Sequence, residues 1–307
     1  MESKNIFQTI AICTYNNAES LKITLDSLKH IECPDWLTYE ILIIDNNCTD
    51  HTGQVIEKFS EVFGQKLRCV SECRQGLSHA RNCALENAWG EIVSFIDDDV
   101  KVDKHWAKYV SLSFRQYQPD VVGGMSYLIY PDKSKPSWIT SELEIFLSRL
   151  DYGNKPEVGT EKDLFGLNFS VCRKTALEIG GFCTDLGRVG NILASGEESD
   201  FLARVKKNGG IAVYEPRAIV GHIVDPVRLK KSWFIRRVYH SALYSQYKKQ
   251  SESMKNLILL RLSNLSKIAA HMVKALMLGQ YDHDHFFPQH LKIARIVGEI
   301  RGGLKIT

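Results

Sequence analysis

What this 307-residue chain does without narrows it early. Its eight cysteines, at positions 13, 33, 48, 69, 73, 83, 172 and 183, include no CxxC pair, and several fall inside apolar strand or helix patterns. That spacing excludes a zinc site and a disulfide framework, and reads as reduced thiols in a reducing compartment. The opening Met1-Glu-Ser-Lys-Asn5 is polar and leads straight into a strand pattern, without the apolar core of a signal peptide. No stretch reaches the roughly 18 apolar residues of a membrane span. A cytoplasmic location is expected. No GxGxxG follows the first strand pattern, which disfavours a dinucleotide-binding dehydrogenase, and no GxxxxGK[ST] occurs, which disfavours a P-loop nucleotidase.

What is present starts with size. The chain is 44% hydrophobic, enough to bury one large α/β core, alone or with an appendage. The net charge of +3 hides an asymmetry. Residues 1–200 hold 20 Lys and Arg against 30 Asp and Glu, a net of −10, while residues 201–307 hold 19 against 6, a net of +13. An acidic body with a basic tail region points to an anionic partner for the tail, such as diphosphates or a lipid surface. The basic region carries no nucleic-acid reader motif, so no nucleic-acid partner is expected.

Along the chain, apolar runs alternate with helical periods. Phe7 to Cys13 is a short β-rich run, followed by the polar turn Thr14-Tyr-Asn-Asn17 and a helical spacing at Leu21, Leu25 and Leu28. Tyr39 to Ile44 reads as a strand ending in Asp45-Asn-Asn47, and Thr52 to Phe63 as a helix closed by Gly64. Leu67 to Val70 is a third strand, Ser78 to Trp89 a helix with Gly90 past its end, and Ile92 to Ile96 a fourth strand. Asp103 suits the N-cap of a helix running to about Gln118. This alternation predicts βαβ units in a mainly parallel, Rossmann-like sheet flanked by helices. From Pro131 to Lys162 the pattern loosens into a loop-rich insertion, where a second-substrate site is expected. Glu198 to Asn208 reads as a helix, Ala212 to Tyr214 and Ala218 to Val220 as late strands, and the chain beyond Pro226 as mostly helical and basic.

The strongest local signal is Phe95-Ile-Asp-Asp-Asp-Val100. Three adjacent carboxylates repel one another and cannot all face the core, so something positive should meet them. A divalent cation carrying a nucleoside diphosphate fits, because such cations take oxygen ligands from one or two carboxylates plus substrate phosphates. The plainer reading is a solvated acidic turn. In open α/β sheets ligands bind at the carboxyl ends of strands. Here three such ends converge in polar residues: Thr14 and Asn16, Asp45 and Asn46, and Asp97 to Asp99. A nucleotide pocket is the expectation. A second acidic pair, Glu197-Glu198, opens a helix, where it complements the N-terminal dipole. It also offers a carboxylate to take a proton from a hydroxyl nucleophile.

Seven segments in order are TYNNAESL (14–21), ILIIDNNCTD (41–50), QGLSHARNCAL (75–85), GEIVSFIDDDV (90–100), FGLNFSVCRKTALEIGGF (165–182), GEESDFLARV (196–205) and VGHIVDP (220–226). Together they closely resemble the inverting family 2 glycosyltransferases of GT-A fold, over roughly residues 7 to 240. The resemblance implies a nucleotide-sugar donor, a single displacement at the anomeric carbon, and Mn²⁺ or Mg²⁺ as cofactor. It matches Thr14 and Asn16 to the first nucleotide-binding loop, Asp45 to the carboxylate that accepts from the base, and Arg81 to a basic residue near base and phosphate. Asp97 and Asp98 would hold ribose or sugar hydroxyls, and Asp99 the metal. His222 matches a late histidine near the metal or diphosphate. Glu198 aligns with the catalytic base, although relatives commonly read Glu-Asp there, which leaves Glu197 or Asp200 as alternatives to it. Arg236 and Arg237 are expected on the diphosphate side, Asn168 and Trp138 on the acceptor side. Plainer roles stay open: a helix cap for Asp45, a surface ion pair for Arg81, and a solvated or lipid-facing patch for the two late arginines.

The expected organisation is a GT-A nucleotide-sugar-binding and catalytic domain over residues 1–225, with an acceptor-side insertion at about 131–163, and a basic helical extension over 226–307. Residues 253–279 form a basic amphipathic pattern that either lies on an anionic membrane or packs on the catalytic domain. Peripheral contact through 226–300 at the inner face of a membrane suits an enzyme that extends a lipid-linked glycan. Asp282-His-Asp-His285 has the composition of a metal cluster but reads as a polar turn. The expected function is therefore an inverting, metal-dependent glycosyltransferase in polysaccharide or glycoconjugate synthesis, with a glycan or lipid-linked glycan acceptor. Two alternatives stand beside it. One is a non-catalytic nucleotide-sugar-binding or membrane-docking module, which the intact DDD and GEE strings oppose. The other is a sugar-1-phosphate nucleotidyltransferase, which would open with a Gly-rich, Arg-containing loop where this chain has TYNNAE.

Overall fold

The computed structural model describes residues 7–188, 193, 195–245 and 283–305, with isolated helical positions at 263, 266, 267 and 270. Strand β1 (Gln8–Thr14) explains why its sequence is a continuous apolar run: Ile10, Ala11 and Ile12 are all fully buried, covered on both faces of the sheet. Helix α1 (Ala18–Leu28), β2 (Tyr39–Asp45), α2 (Thr52–Phe63), β3 (Leu67–Ser71), α3 (Leu77–Asn87) and β4 (Ile92–Asp97) follow the expected alternation. Then come β5 (Val100–Val102), α4 (Trp106–Tyr117), β6 (Val121–Ile129), α5 (Ser141–Glu144), β7 (Glu157–Val158), β8 (Asn168–Cys172), α6 (Arg173–Glu178), α7 (Glu197–Lys207) and β9 (Ala212–Ile223). Helices α8 (Lys231–Ser245) and α9 (His283–Lys305) complete the described chain.

The strand order is β3-β2-β1-β4-β8-β6-β9-β5, with β7 on β9. The first four strands are parallel, in a register that sets Thr14 beside Asp45 and Cys13 beside Asp97. Their carboxyl ends therefore open on one edge. Strand β8 runs antiparallel between β4 and β6, and β6 and β9 are parallel to each other. The fold is thus the expected helix-flanked sheet, with an antiparallel insertion past its midpoint. Among the departures from the sequence pattern, α4 starts at Trp106 with His105, not Asp103, at its N-cap, and two others lie in the strands. Strand β6 contains Gly123-Gly124 and shows no clean alternation, yet forms nine residues of strand. The two late strands are one, β9, whose register on β6 jumps at Gly124/Met125. Pro216, which has no N–H to give the ladder, lies in the skipped segment.

Apolar clusters fill both faces. One gathers Ile10, Leu21, Phe59 and Trp106 beneath α1, α2 and α4. The other gathers Ala84, Phe95, Phe182 and Phe201 beneath α3 and α7. A third joins the insertion to the C-terminal helices through Ile139, Leu147, Phe234 and Phe287. Burying each such large side chain contributes about 1.5–3 kcal/mol. Gly298 lets α9 lie directly on α8: a Cβ there would strike the Tyr239 carbonyl and the Ala242 methyl. The segment 253–279 lies outside the described residues apart from isolated helical positions. Asp282 lies outside them as well. His283 to His285 open α9, so this stretch begins a helix instead of forming a turn.

Candidate active site

The pocket edge is built by loops that hydrogen-bond one another. Asn16 adopts φ 48°, a left-handed conformation Asn tolerates, and its Oδ1 accepts from the Thr49 backbone N–H at 2.6 Å and the Asp50 N–H at 3.3 Å. That fastens the loop after β1 to the loop after β2. Asn46 is buried. It donates to the carbonyls of Glu72 and Arg74, both at 2.8 Å, and accepts from the Gly76 N–H at 2.9 Å, tying β2 to the start of α3. Asp45 takes the Cys48 N–H at 2.8 Å and is half-buried at the strand end.

The acidic triplet divides into three environments. Asp98 is fixed: Thr14 Oγ1 donates to Oδ2 at 2.6 Å and Asn17 Nδ2 to Oδ1 at 2.8 Å. Burial and the adjacent Asp99 push its carboxyl up to about 7, against these two hydrogen bonds. Thr14 and Asp98, both expected to touch donor, thus bond each other and brace the loop. Asp97 is the open member, with its side chain 36% exposed and the Arg81 guanidinium 4.0 Å away. Burial and Asp99 raise its pKa, and Arg81 and Arg188 oppose the rise. Asp99 is buried. Burial alone would push its carboxyl up, but the His222 ring in its protonated form, with Arg228 and Arg188, outweighs burial and holds it well below the usual range. Its Oδ2 lies 3.3 Å from His222 Nε2 and accepts from Arg228 Nη2 at 3.2 Å. Its Oδ1 is buried with no hydrogen-bond partner.

The second acidic pair faces the triplet across Arg81, a buried residue of α3 that lies over the Phe182 ring. Arg81 Nη1 donates to Glu197 Oε1 and Glu198 Oε1, each at 3.1 Å. A Cβ at Gly166 would collide with both the Arg81 guanidinium and the Glu198 carboxylate, so only glycine lets that turn pass behind the pair. Burial and the neighbouring Glu198 push Glu197 up to about 7, and its Oε2 has no partner. The Glu198 side chain is 18% exposed and so partly open to solvent. Asp200 is committed elsewhere, to Arg204 at 2.8 Å one helical turn on.

The remaining expected residues separate. Arg237 reaches the site, with Nη1 donating to the Leu193 carbonyl and Ser195 Oγ at 3.1 Å each. Burial and the nearby Arg188 lower its pKa to about 10. Arg236 is exposed instead, beside the groove between α8 and α9. Asn168 does not face an acceptor: its Nδ2 donates to the Met125 and Ala218 carbonyls, its Oδ1 accepts from Trp106 Nε1, and the residue is buried. Trp138 packs edge-on against Phe234 and Phe287 at 5.3 and 5.1 Å between ring centroids, joining the insertion to α8 and α9. Two arginines that sequence reasoning missed, Arg188 and Arg228, lie among the acidic groups. Burial and Arg228 lower the pKa of Arg188, where Asp97, Asp99 and Glu197 oppose the shift. Arg228 had a faint signal, a basic residue just past the turn that follows His222. Arg188 had none.

Among the described residues no group of three or more His, Cys, Asp or Glu closes on a metal. A hard divalent cation needs fewer protein ligands, because it keeps waters and substrate phosphates. His222 Nδ1 lies 2.7 Å from the Leu147 carbonyl, to which it donates, so in the neutral ring Nε2 carries the lone pair. With the Asp99 carboxylate beside it, its Oδ2 3.3 Å from Nε2 and its Oδ1 unpartnered, this pair fits such a cation.

Comparisons with known proteins bear on the family and the fold. The profile described as Glycosyl transferase family 2 matches residues 9–177. A Haloferax volcanii protein named glucosyl-dolichyl phosphate glucuronosyltransferase is 25% identical over 240 residues, covering 75% of this chain and 74% of its own. The succinoglycan biosynthesis protein ExoM of Rhizobium meliloti is 27% identical over 242 residues, covering 78% and 74%. Among solved structures, the mannosyltransferase PcManGT from Pyrobaculum calidifontis, in complex with GDP-Man and Mn²⁺, superposes with a TM-score of 0.65 at 18% identity, over 98% of this chain and 87% of that one. At that identity the likeness establishes the fold, which is GT-A.

Proposed function

The chain belongs to glycosyl transferase family 2, and from that premise we propose that it is an inverting, metal-dependent glycosyltransferase. Its donor is a nucleoside-diphosphate sugar and its acceptor a hydroxyl of a glycan or lipid-linked glycan. The observation that carries this reading is the facing of two carboxylate clusters, Asp97–Asp99 at the end of β4 and Glu197–Glu198 at the start of α7, bridged by Arg81.

Asp45 and Asp97 accept from base and sugar hydroxyls of the donor at the strand ends. Glu198, hydrogen-bonded to Arg81 yet partly open to solvent, takes the proton of the acceptor hydroxyl, a step worth typically ~10²–10⁴ in rate. Arg81 fixes the direction of that carboxylate. A divalent cation held by Asp99 and His222 would supply the charge that stabilises the departing diphosphate. Arg237 adds a second positive group on the same side. The names of the two sequence relatives, one a dolichyl-phosphate-linked transferase and the other a polysaccharide biosynthesis protein, support a lipid-linked or polymeric glycan as acceptor class. Contact with the membrane that holds such an acceptor would run through residues 226–300. Among the described residues no helix is long and apolar enough to cross a membrane.

A thermal-shift screen of UDP, GDP, dTDP and CMP sugars with and without Mn²⁺ or Mg²⁺ identifies the donor, since a native-state ligand at one hundred times its dissociation constant adds about 2.7 kcal/mol. With that donor, Glu198→Gln should keep donor binding and lose transfer by at least about a hundredfold. Substantial remaining transfer rejects Glu198 as the base, and a product of retained anomeric configuration rejects the single displacement.

A further inference from the structure

Arg228 stands where the proposed function would put a cation. Its Nη1 lies 2.9 Å from His222 Nε2 and its Nη2 donates to Asp99 Oδ2 at 3.2 Å. Arg228 can only donate, so both target atoms act as acceptors toward it: Asp99 Oδ2 and, in the neutral ring whose proton Nδ1 gives to Leu147, Nε2; they lie only 3.3 Å apart. Two lone-pair-bearing atoms at that separation, one of them a buried carboxylate oxygen, require a positive group between or beside them. A guanidinium can only donate, so it answers that requirement. So does a divalent cation, and the two cannot use the same lone pairs together.

The two solutions differ in permanence. Arg228 sits in the four-residue 3-10 turn Pro226–Leu229, whose first N–H groups are held by Asp225: its Oδ1 accepts from Val227 N–H at 2.7 Å and its carbonyl from Arg228 N–H at 2.8 Å. The Arg228 side chain is 20% exposed. It borders a cavity of about 340 Å³ that also touches Asn17, Ser20, Asp99, Tyr130 and Asp225. The guanidinium therefore has open space to move into without disturbing the sheet. The unpartnered Asp99 Oδ1 shows that Arg228 satisfies this carboxylate only in part.

We propose that Arg228 is an exchangeable counter-ion: it occupies Asp99 and His222 while the site is free of metal, and it leaves both when a divalent cation enters. This rests on the metal-dependent reading above and adds the competitor that sets the metal's apparent affinity. If the guanidinium covers its ligands for all but about a tenth of the time, its removal tightens metal binding about tenfold.

The test titrates Mn²⁺ into the wild type, Arg228→Met and Arg188→Met, reading free Mn²⁺ by electron paramagnetic resonance, each with and without the nucleoside diphosphate found in the screen. Arg188 serves as the electrostatic control, because it lies near Asp99 but makes no hydrogen bond to Asp99 or His222. The expected result is that Arg228→Met binds Mn²⁺ about tenfold more tightly than wild type, and more tightly than Arg188→Met. Hydrogen exchange of the wild type provides a second readout that needs no variant to fold. Amides of residues 227–230 should lose protection on adding Mg²⁺ alone. Equal or weaker Mn²⁺ binding by Arg228→Met, or unchanged protection with Mg²⁺ bound, overturns the exchange and leaves the transferase reading intact. Absence of Mn²⁺ binding by every form, with nucleotide bound, overturns the exchange and the metal dependence together.

Discussion

Two carboxylate clusters face each other in this protein, and they are neutralised in opposite ways. Glu197 and Glu198 share Arg81, a residue of a core helix whose side chain is 3% exposed, stacked over Phe182 and backed by Gly166. Asp99 has Arg228, on a short turn after the last strand and seven times more open to solvent. Arg81 is packed before any ligand arrives and has nowhere to go. Arg228 is held by two contacts and borders an open cavity. The contrast is that one cluster is held in a fixed geometry, as suits proton transfer, and the other is neutralised by a group that can give way to a better cation. A counter-ion's secondary-structure address, more than its distance, separates the two roles.

The sharpest way to break this contrast is Arg81→Met. Removing one partner of a buried ion pair leaves the other charge uncompensated, at a cost of about 3–5 kcal/mol. The loss should appear as a lower urea midpoint at unchanged m-value. A loss below about 1 kcal/mol, the range of an exposed pair, would make the two arginines equivalent. A smaller effect concerns Glu197. Its pKa is raised from near 4.5 to about 7, so the folded state binds this proton more tightly than the unfolded chain does. The stability this contributes is complete below pH 4.5 and is lost as pH rises through about 7. The melting temperature of the wild type should therefore fall between pH 5 and pH 7.5, and Glu197→Gln should flatten that fall. An unchanged slope in the variant would assign the proton to another group, with Asp98, raised to about 7 at the other cluster, as the candidate.

The same division marks what could be read from sequence. The ends of β1, β2 and β4 were legible because each apolar run stops at a polar residue, and α2 falls on the residues its period and Gly64 mark. Strand β6 was not, since Gly123-Gly124 interrupts its pattern. Arg81 and the glutamates were legible as residue types but not as a pair, because 116 and 117 positions separate them. Arg228 and Asp99 are 129 apart, and nothing local to either names the other. Asn168 misleads for a different reason. An asparagine at a strand start reads alike whether it faces a pocket or the core, and here its amide bridges the carbonyls of β6 and β9. Thr14 and Asp98 likewise carry the polarity of ligand contacts while serving each other.

The smallest effect probes the ground between the clusters. Cys13 lies on β1 near both Arg81 and Asp97, and a cation beside a thiol ordinarily lowers its pKa and makes it reactive. Here burial comes first and pushes the thiol up to about 12. The opposing pull of Arg81 is further offset by Asp97 and Asp98. Arg81 thus serves its carboxylates without activating the sulfur beside it. At pH 8 iodoacetamide should modify the exposed Cys73 and leave Cys13 unlabelled, as peptide mapping by mass spectrometry would show. Ready alkylation of Cys13 in the folded protein would mean that Arg81 carries charge its carboxylates do not neutralise, and the fixed cluster would then be the less satisfied of the two.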